Sequence, residues 1–206
     1  MTDQPNSPAS TTILVLSTER AIPPVLDPYE RDGTLVALMD HDLSERDIDR
    51  STGLITTIHL DQIRFHELRP AIDRFFRRGG RLFFNGHPVR RFVDGLTPFV
   101  PLDSPRRRDL DLSALTAHPV FAGIDTPSLA TRKGVAGFFG RGHAPPPPGA
   151  AAVTGLGPNR WPVDWTWDTP AGGTLFIHAG NDLWSVADDP AVNARLAGNI
   201  IQWVTS

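Results

Sequence analysis

Imidazole groups recur where short apolar runs of this chain end. "GTLVALMD" leads into His41 and Asp42, and "GLITTIHL" carries His59 at its end with Asp61 just beyond. "RLFFN" leads into Gly86 and His87, and "GGTLFIHAG" carries His178 ahead of Asn181 and Asp182. The first run, "TTILVLS", is followed by Thr18, Glu19 and Arg20. His41, His59, His87 and His178 are thus placed alike, out of seven histidines in all. Histidine changes charge near neutral pH, so it suits general acid–base work, and in its neutral form it ligates metals. Such a base needs a carboxylate or carbonyl on its second nitrogen to fix tautomer and direction. These residue types predict His178 and His87 as acid–base groups, with Asp182 or Asp61 orienting one of them. Glu19, His59, Asp61, Asn85, Gly86 and Asn181 are the expected ligand-binding groups around them.

The elements that must position these groups are read from the apolar pattern. Thr11–Ser17, Gly33–Asp40, Gly53–Leu60 and Arg81–Asn85 are short apolar runs bounded by turn residues, alternating with helical stretches, the pattern of a parallel sheet. Leu68, Ile72, Phe75 and Phe76 lie on one face of a helix, with Pro70 marking a kink or a start and Gly79-Gly80 a stop. Later, "DWTWDTPAGGTLFIHAG" predicts two strands around a turn at Thr169–Gly173. Asp189 and Pro190 suit the cap and first position of a last helix, whose Val192, Leu196, Ile200 and Val204 form one stripe. Leu196 and Ile200 are therefore expected against the sheet.

In an open α/β sheet, ligands bind beyond the carboxyl ends of the strands, where the histidines cluster in sequence. His59, Asn85, His87 and His178 are expected to share one pocket there. The Gly-rich, proline-stiffened stretch Phe138–Ala150 suits a flap over that edge. The bland alternatives are specific too. Asp40 and Asp42 suit helix caps, and Trp165 and Trp167 alternate so as to pack one side of a hairpin on the core.

Composition removes several classes. The net charge of −3 provides no basic field for nucleic acid, and the run Arg106–Arg108 is answered by Asp109 and Asp111. No apolar run approaches the roughly 20 residues needed to span a bilayer, and no secretory signal opens the chain. Zero cysteines exclude disulfides, thiolate metal sites and thiol nucleophiles, and fit the cytoplasm. His59, His87 and His178 with Asp61 or Asp182 have the donor types for a divalent ion, but no H-x-x-x-H pair supports one. No metal and no cofactor are therefore expected. Residues 1–10 are expected to be a disordered tail, and 11–206 a single domain.

The ordered set "ILVLST", "GLITTIHLDQ", "FFRRGG", "RLFFNGHP", "AHPVFAGI", "GGTLFIHAG" and "NARLAGNIIQWV" resembles the class I glutamine amidotransferase-like superfamily, in particular its ThuA-like branch. The resemblance implies a flavodoxin-like, mostly parallel open sheet with helices on both faces and an antiparallel C-terminal hairpin. It also makes the Arg81–His87 turn the counterpart of the elbow Gly-x-Cys-x-Gly. Here Phe84 or Asn85 falls at the cysteine position, and His178-Ala179-Gly180 stands where the family has His-Pro-Glu. Neither side chain attacks an amide, so glutaminase and cysteine-protease activities are excluded. The expectation is a polar small molecule bound or hydrolysed at the carboxyl edge of the sheet. Two alternatives accompany it. One is a non-catalytic subunit that meets a partner protein or second copy through exposed Trp161, Trp165 and Trp167; the other is a metal-dependent hydrolase.

Overall fold

A computed structural model describes residues 11–16 and 21–206. Glu19 and the expected tail at 1–10 lie outside the described residues. In chain order the first half runs β1 (Thr11–Leu16), α1 (Asp27–Arg31), β2 (Leu35–Met39), α2 (Glu45–Arg50), β3 (Ser51–Thr56), α3 (Gln62–Glu67), α4 (Arg69–Arg77) and β4 (Arg81–Asn85). The second half holds β5 (Val100–Pro101), β6 (Leu112–Ala114), β7 (Thr131–Arg132), β8 (Val135–Ala136), β9 (Gly142–His143), β10 (Ala151–Leu156), β11 (Trp161–Asp168), β12 (Thr174–His178) and α5 (Pro190–Thr205). Eight strands form one sheet in the order β2-β1-β3-β4-β12-β11-β10-β6. Its first five strands are parallel neighbours, and from β12 onward the pairing is antiparallel. The parallel part is the flavodoxin-like arrangement the sequence implies, with the hairpin β11–β12 attached to it.

Local chemistry explains these elements. Leu68 closes α3 and opens α4, and Pro70 sits in the first turn of α4, where its missing N–H costs nothing. Gly79 follows with φ +82, the left-handed conformation that ends a helix. The third strand starts two residues earlier than the apolar pattern suggests. The Ser51 hydroxyl donates to the Ile48 carbonyl at 2.9 Å, so the residue that ends α2 also opens β3. Inside β3, a Cβ on Gly53 would collide with the Val204 side chain, so this glycine lets the end of α5 lie on the strand. Asp189 caps α5 through the Ala191 N–H at 2.8 Å.

The two apolar faces of the sheet are covered separately. On one, Phe83 stacks on Phe176 at 4.9 Å, and Trp203 of α5 packs edge-on to Phe176. Leu196 and Ile200 are fully buried there. On the other, Phe84 stacks on Phe92, which meets Phe65 of α3. Burying side chains of this size contributes about 1.5–3 kcal/mol each. Trp165 and Trp167 belong to this core, so they are not the exposed anchors the partner-protein alternative requires. Trp161 alone of that trio is exposed, stacked on His143 at 4.5 Å.

Sandwiched against Phe176 and Trp203, His118 is held neutral by burial, which pushes its pKa down to about 4. The Asp164 charge acts in the opposite sense, and Arg81 reinforces the shift. Because the folded value lies below the ordinary 6.5, this contribution to stability is complete above pH 6.5. It is lost as pH falls from 6.5 to about 4, where the unfolded chain takes a proton that the folded one refuses. Melting temperatures across that interval should therefore fall more steeply for the wild type than for His118→Asn, which keeps an acceptor for the Val120 N–H. Parallel curves would show that His118 does not titrate in this way.

Candidate functional site at the carboxyl edge of the sheet

The elbow after β4 is built as a sharp turn without a reactive side chain. Gly86 forms its tip with φ +108, and a Cβ there would come within 2.9 Å of the Ile58 carbonyl oxygen. Its N–H donates to the His178 carbonyl at 2.9 Å, so the expected ligand donor is already engaged within the sheet. Phe84 is in the core, and Asn85 is fully buried. The Asn85 amide donates to the Thr56 carbonyl at 2.8 Å and accepts the Leu183 N–H at 3.0 Å. Its own N–H donates to the Thr56 hydroxyl at 3.1 Å. Asn85 and the Gly86 N–H therefore tie strand ends together.

His178 is the chemically distinctive group. Antiparallel register places it opposite Asp164 on β11, and Asp164 lies opposite Thr154 on β10. The His178 ring bonds Asp164 through Nδ1 at 2.7 Å, and the Thr154 hydroxyl donates to the other carboxylate oxygen. All three residues are fully buried. Two donors on one carboxylate are the arrangement a buried charge requires. The other ring nitrogen, Nε2, is buried with no hydrogen-bond partner among the described residues. Phe139 meets the ring edge-on at 4.8 Å.

The carboxylate bonded to His178 is Asp164, in place of the expected Asp182 or Asp61. A cross-strand neighbour is invisible to a search along the local sequence, although an aspartate between Val163 and Trp165 in a strand was a signal for it. Asp182 instead accepts the Ile58 N–H at 2.8 Å; burial raises its pKa, and the charges of His178 and His59 oppose that rise. Asp61 caps α3, accepting the N–H groups of Ile63 and Arg64 at 2.9 and 3.2 Å. Asp40 accepts the Asp61 N–H, and Ser44, with Asp47, caps α2 in place of Asp40 or Asp42. Asn181 donates to the Phe138 carbonyl at 2.6 Å and so pins the flap.

A cleft of about 290 Å³ opens above this assembly, lined by His87, Phe138, Gly140, Arg141, Gly180 and Asn181 among others. A Cβ on Gly180 would stand 2.7 Å from His178 Nε2, so the unpartnered nitrogen lies directly beneath the cleft. The exposed His87 ring stacks on Phe99 at 3.7 Å. Desolvation lowers its pKa, and the His178 charge adds to the shift. Gln62 holds the turn beyond it, donating to the His87 carbonyl and accepting the N–H groups of Val89 and Arg90. Of the four residues expected to share a pocket, His87 lines this cleft, His178 lies behind Gly180 in its wall, Asn85 is buried in the sheet, and exposed His59 is not among the lining residues. Among the described residues, no three His, Asp or Glu side chains cluster closely enough to hold a metal ion.

No protein-family model matches the chain, and no curated protein matches it in sequence. Several solved structures match it in shape. A cytoplasmic protein from Salmonella typhimurium superposes with a TM-score of 0.57 at 14% identity, over 95% of this chain and 98% of that one. A candidate GMP synthase subunit from Thermoplasma acidophilum gives 0.55 at 9% identity, over 95% and 94%. The mmIFT52 N-terminal domain gives 0.52 at 12% identity, over 96% and 98%. What they share with this chain is the fold. It is common to proteins of quite different names, so function has to be argued from the site. Among the described residues, no helix is long and apolar enough to cross a membrane.

Proposed function

We propose that this chain is a cysteine-less member of the class I glutamine amidotransferase-like superfamily, near its ThuA-like branch. In this reading it binds a small polar molecule in the cleft beside His87, with His178 serving as the acid–base group toward it. One observation carries the proposal: His178 Nε2 is buried beneath a cleft with no partner among the described residues, while a buried carboxylate bonds the other ring nitrogen. With Nδ1–H on Asp164, the neutral ring offers a lone pair at Nε2. Leaving such an atom unpaired costs about 1–3 kcal/mol, a cost that a structural histidine avoids by bonding a backbone group. With no thiol in the chain and glycine at the elbow tip, the group His178 can activate is a water or a hydroxyl of the bound molecule. Access requires the Phe138–Arg141 segment to lift from the ring, the role of a flap. A cytoplasmic location belongs to the same reading, in keeping with a chain that has no cysteine to oxidise.

The test is a thermal-shift screen of neutral polyols, sugars and amides. A ligand that raises the melting temperature of the wild type should lose about tenfold or more in affinity against His87→Ala, whose own melting temperature stays close to wild type. His178→Ala is the poorer probe, because it leaves Asp164 buried with the Thr154 hydroxyl as its one remaining side-chain donor. Equal binding by His87→Ala, or no stabilisation by any polar compound, would refute the proposal.

A further inference from the structure

A second cavity, of about 520 Å³, lies beyond the Phe138 ring and has no part in the function proposed above. Pro23, Pro24, Arg132, Asp182, Trp184 and Pro190 contribute to its walls. Its volume falls in the range of small-molecule sites, and its surfaces are mainly apolar with few polar groups. Most of those polar groups are already engaged. The Asn193 amide accepts the Ala187 N–H at 3.0 Å and donates to the Ala187 carbonyl at 3.1 Å. The Ser185 hydroxyl donates to the Asp182 carbonyl at 2.8 Å, and Asp182 Oδ1 takes the Ile58 N–H. Asp182 Oδ2 and the Arg132 guanidinium are the charged groups left for a ligand, beside the Trp184 indole N–H.

Arg132 is held in an unusual state. Its guanidinium lies over the Phe138 ring, 4.4 Å from the centroid. Its Nε is buried without a hydrogen-bond partner among the described residues. A guanidinium presents its N–H donors as a planar fork, suited to a bidentate acceptor. Arg132 stands in the cavity wall, where a carboxylate can take two parallel hydrogen bonds from its guanidinium.

We infer that this cavity binds a small carboxylic acid that carries a hydroxyl group on an apolar body. The carboxylate pairs with Arg132, the hydroxyl donates to Asp182 Oδ2, and the body packs on Trp184 and the flanking prolines. A monoanion matches the single guanidinium. A phosphate dianion would leave one negative charge unmatched beside Asp182 within apolar walls.

The probe is mandelate, a hydroxy acid with a phenyl body, followed through the indole N–H resonance of Trp184 (assigned with Trp184→Phe). Mandelate should shift that resonance saturably. Mandelamide, which lacks the charge, should bind at least about tenfold more weakly. Arg132→Met and Arg132→Lys should each weaken mandelate by a similar factor, the lysine variant because it keeps the charge but loses the planar fork. Phenylacetate should bind more weakly than mandelate to the wild type, and Asp182→Asn should narrow that difference. If Arg132→Met fails to fold, Arg132→Lys decides. Absence of a saturable shift, equal binding of mandelamide, unchanged affinity in Arg132→Lys, or tighter binding of phenyl phosphate would each overturn the inference. A mandelate response at His87 in place of Trp184 would overturn it too, while leaving the cleft proposal standing.

Discussion

Asp164→Ala is expected to destabilise the fold by about 3–5 kcal/mol, the cost of breaking a buried charged network by removing one partner. The carboxylate joins the Thr154 hydroxyl to the His178 ring, and all three side chains are shut away from water. Alanine leaves both donors without acceptors and opens a void in the middle of the antiparallel half of the sheet. Asp164→Asn should cost less, since an amide accepts from one of the two donors. Urea unfolding at neutral pH measures both variants. A loss below about 1 kcal/mol for the alanine variant would show that the network is loosely held.

The second large effect is expected from Ile200→Asp. Ile200 is fully buried on the face of α5 that packs against β3 and β4. A carboxylate there has no basic partner to meet it, so it must either be neutralised or disrupt the packing of the helix. The expected loss exceeds about 4 kcal/mol, the range reserved for unpaired charges in a core. A variant melting like the wild type would show that α5 is peripheral to the core.

Periodicity made the parallel half and α5 legible in the sequence. Arg81–Asn85 has the same bounds in both views, as does the turn between β11 and β12, because apolar runs and turn residues act locally. The position of His178 at a strand end was legible for the same reason. Its carboxylate was not. Asp164 and Thr154 reach the histidine across strands, through a register that depends on a bulge near Val153 and on no local spacing. Asn85, Gly86 and Asp61 carried the right residue types for ligand binding, yet each satisfies the backbone instead. Every strand end and helix start in a sheet of this kind leaves donors and acceptors that nearby polar side chains can satisfy.

The pairing of β4 with β12 has a kinetic consequence. It joins strands farther apart in sequence than any other neighbours in this sheet, whereas β10, β11 and β12 form a local meander and the parallel strands assemble from nearby segments. Closing that seam carries the greatest loop-closure entropy, so it is the step expected to come late in folding. His87 belongs to the early chain and His178 to the late one, on opposite sides of the seam. The cleft therefore does not exist in either half alone, and a molecule that binds there recognises only chains whose two halves have already met.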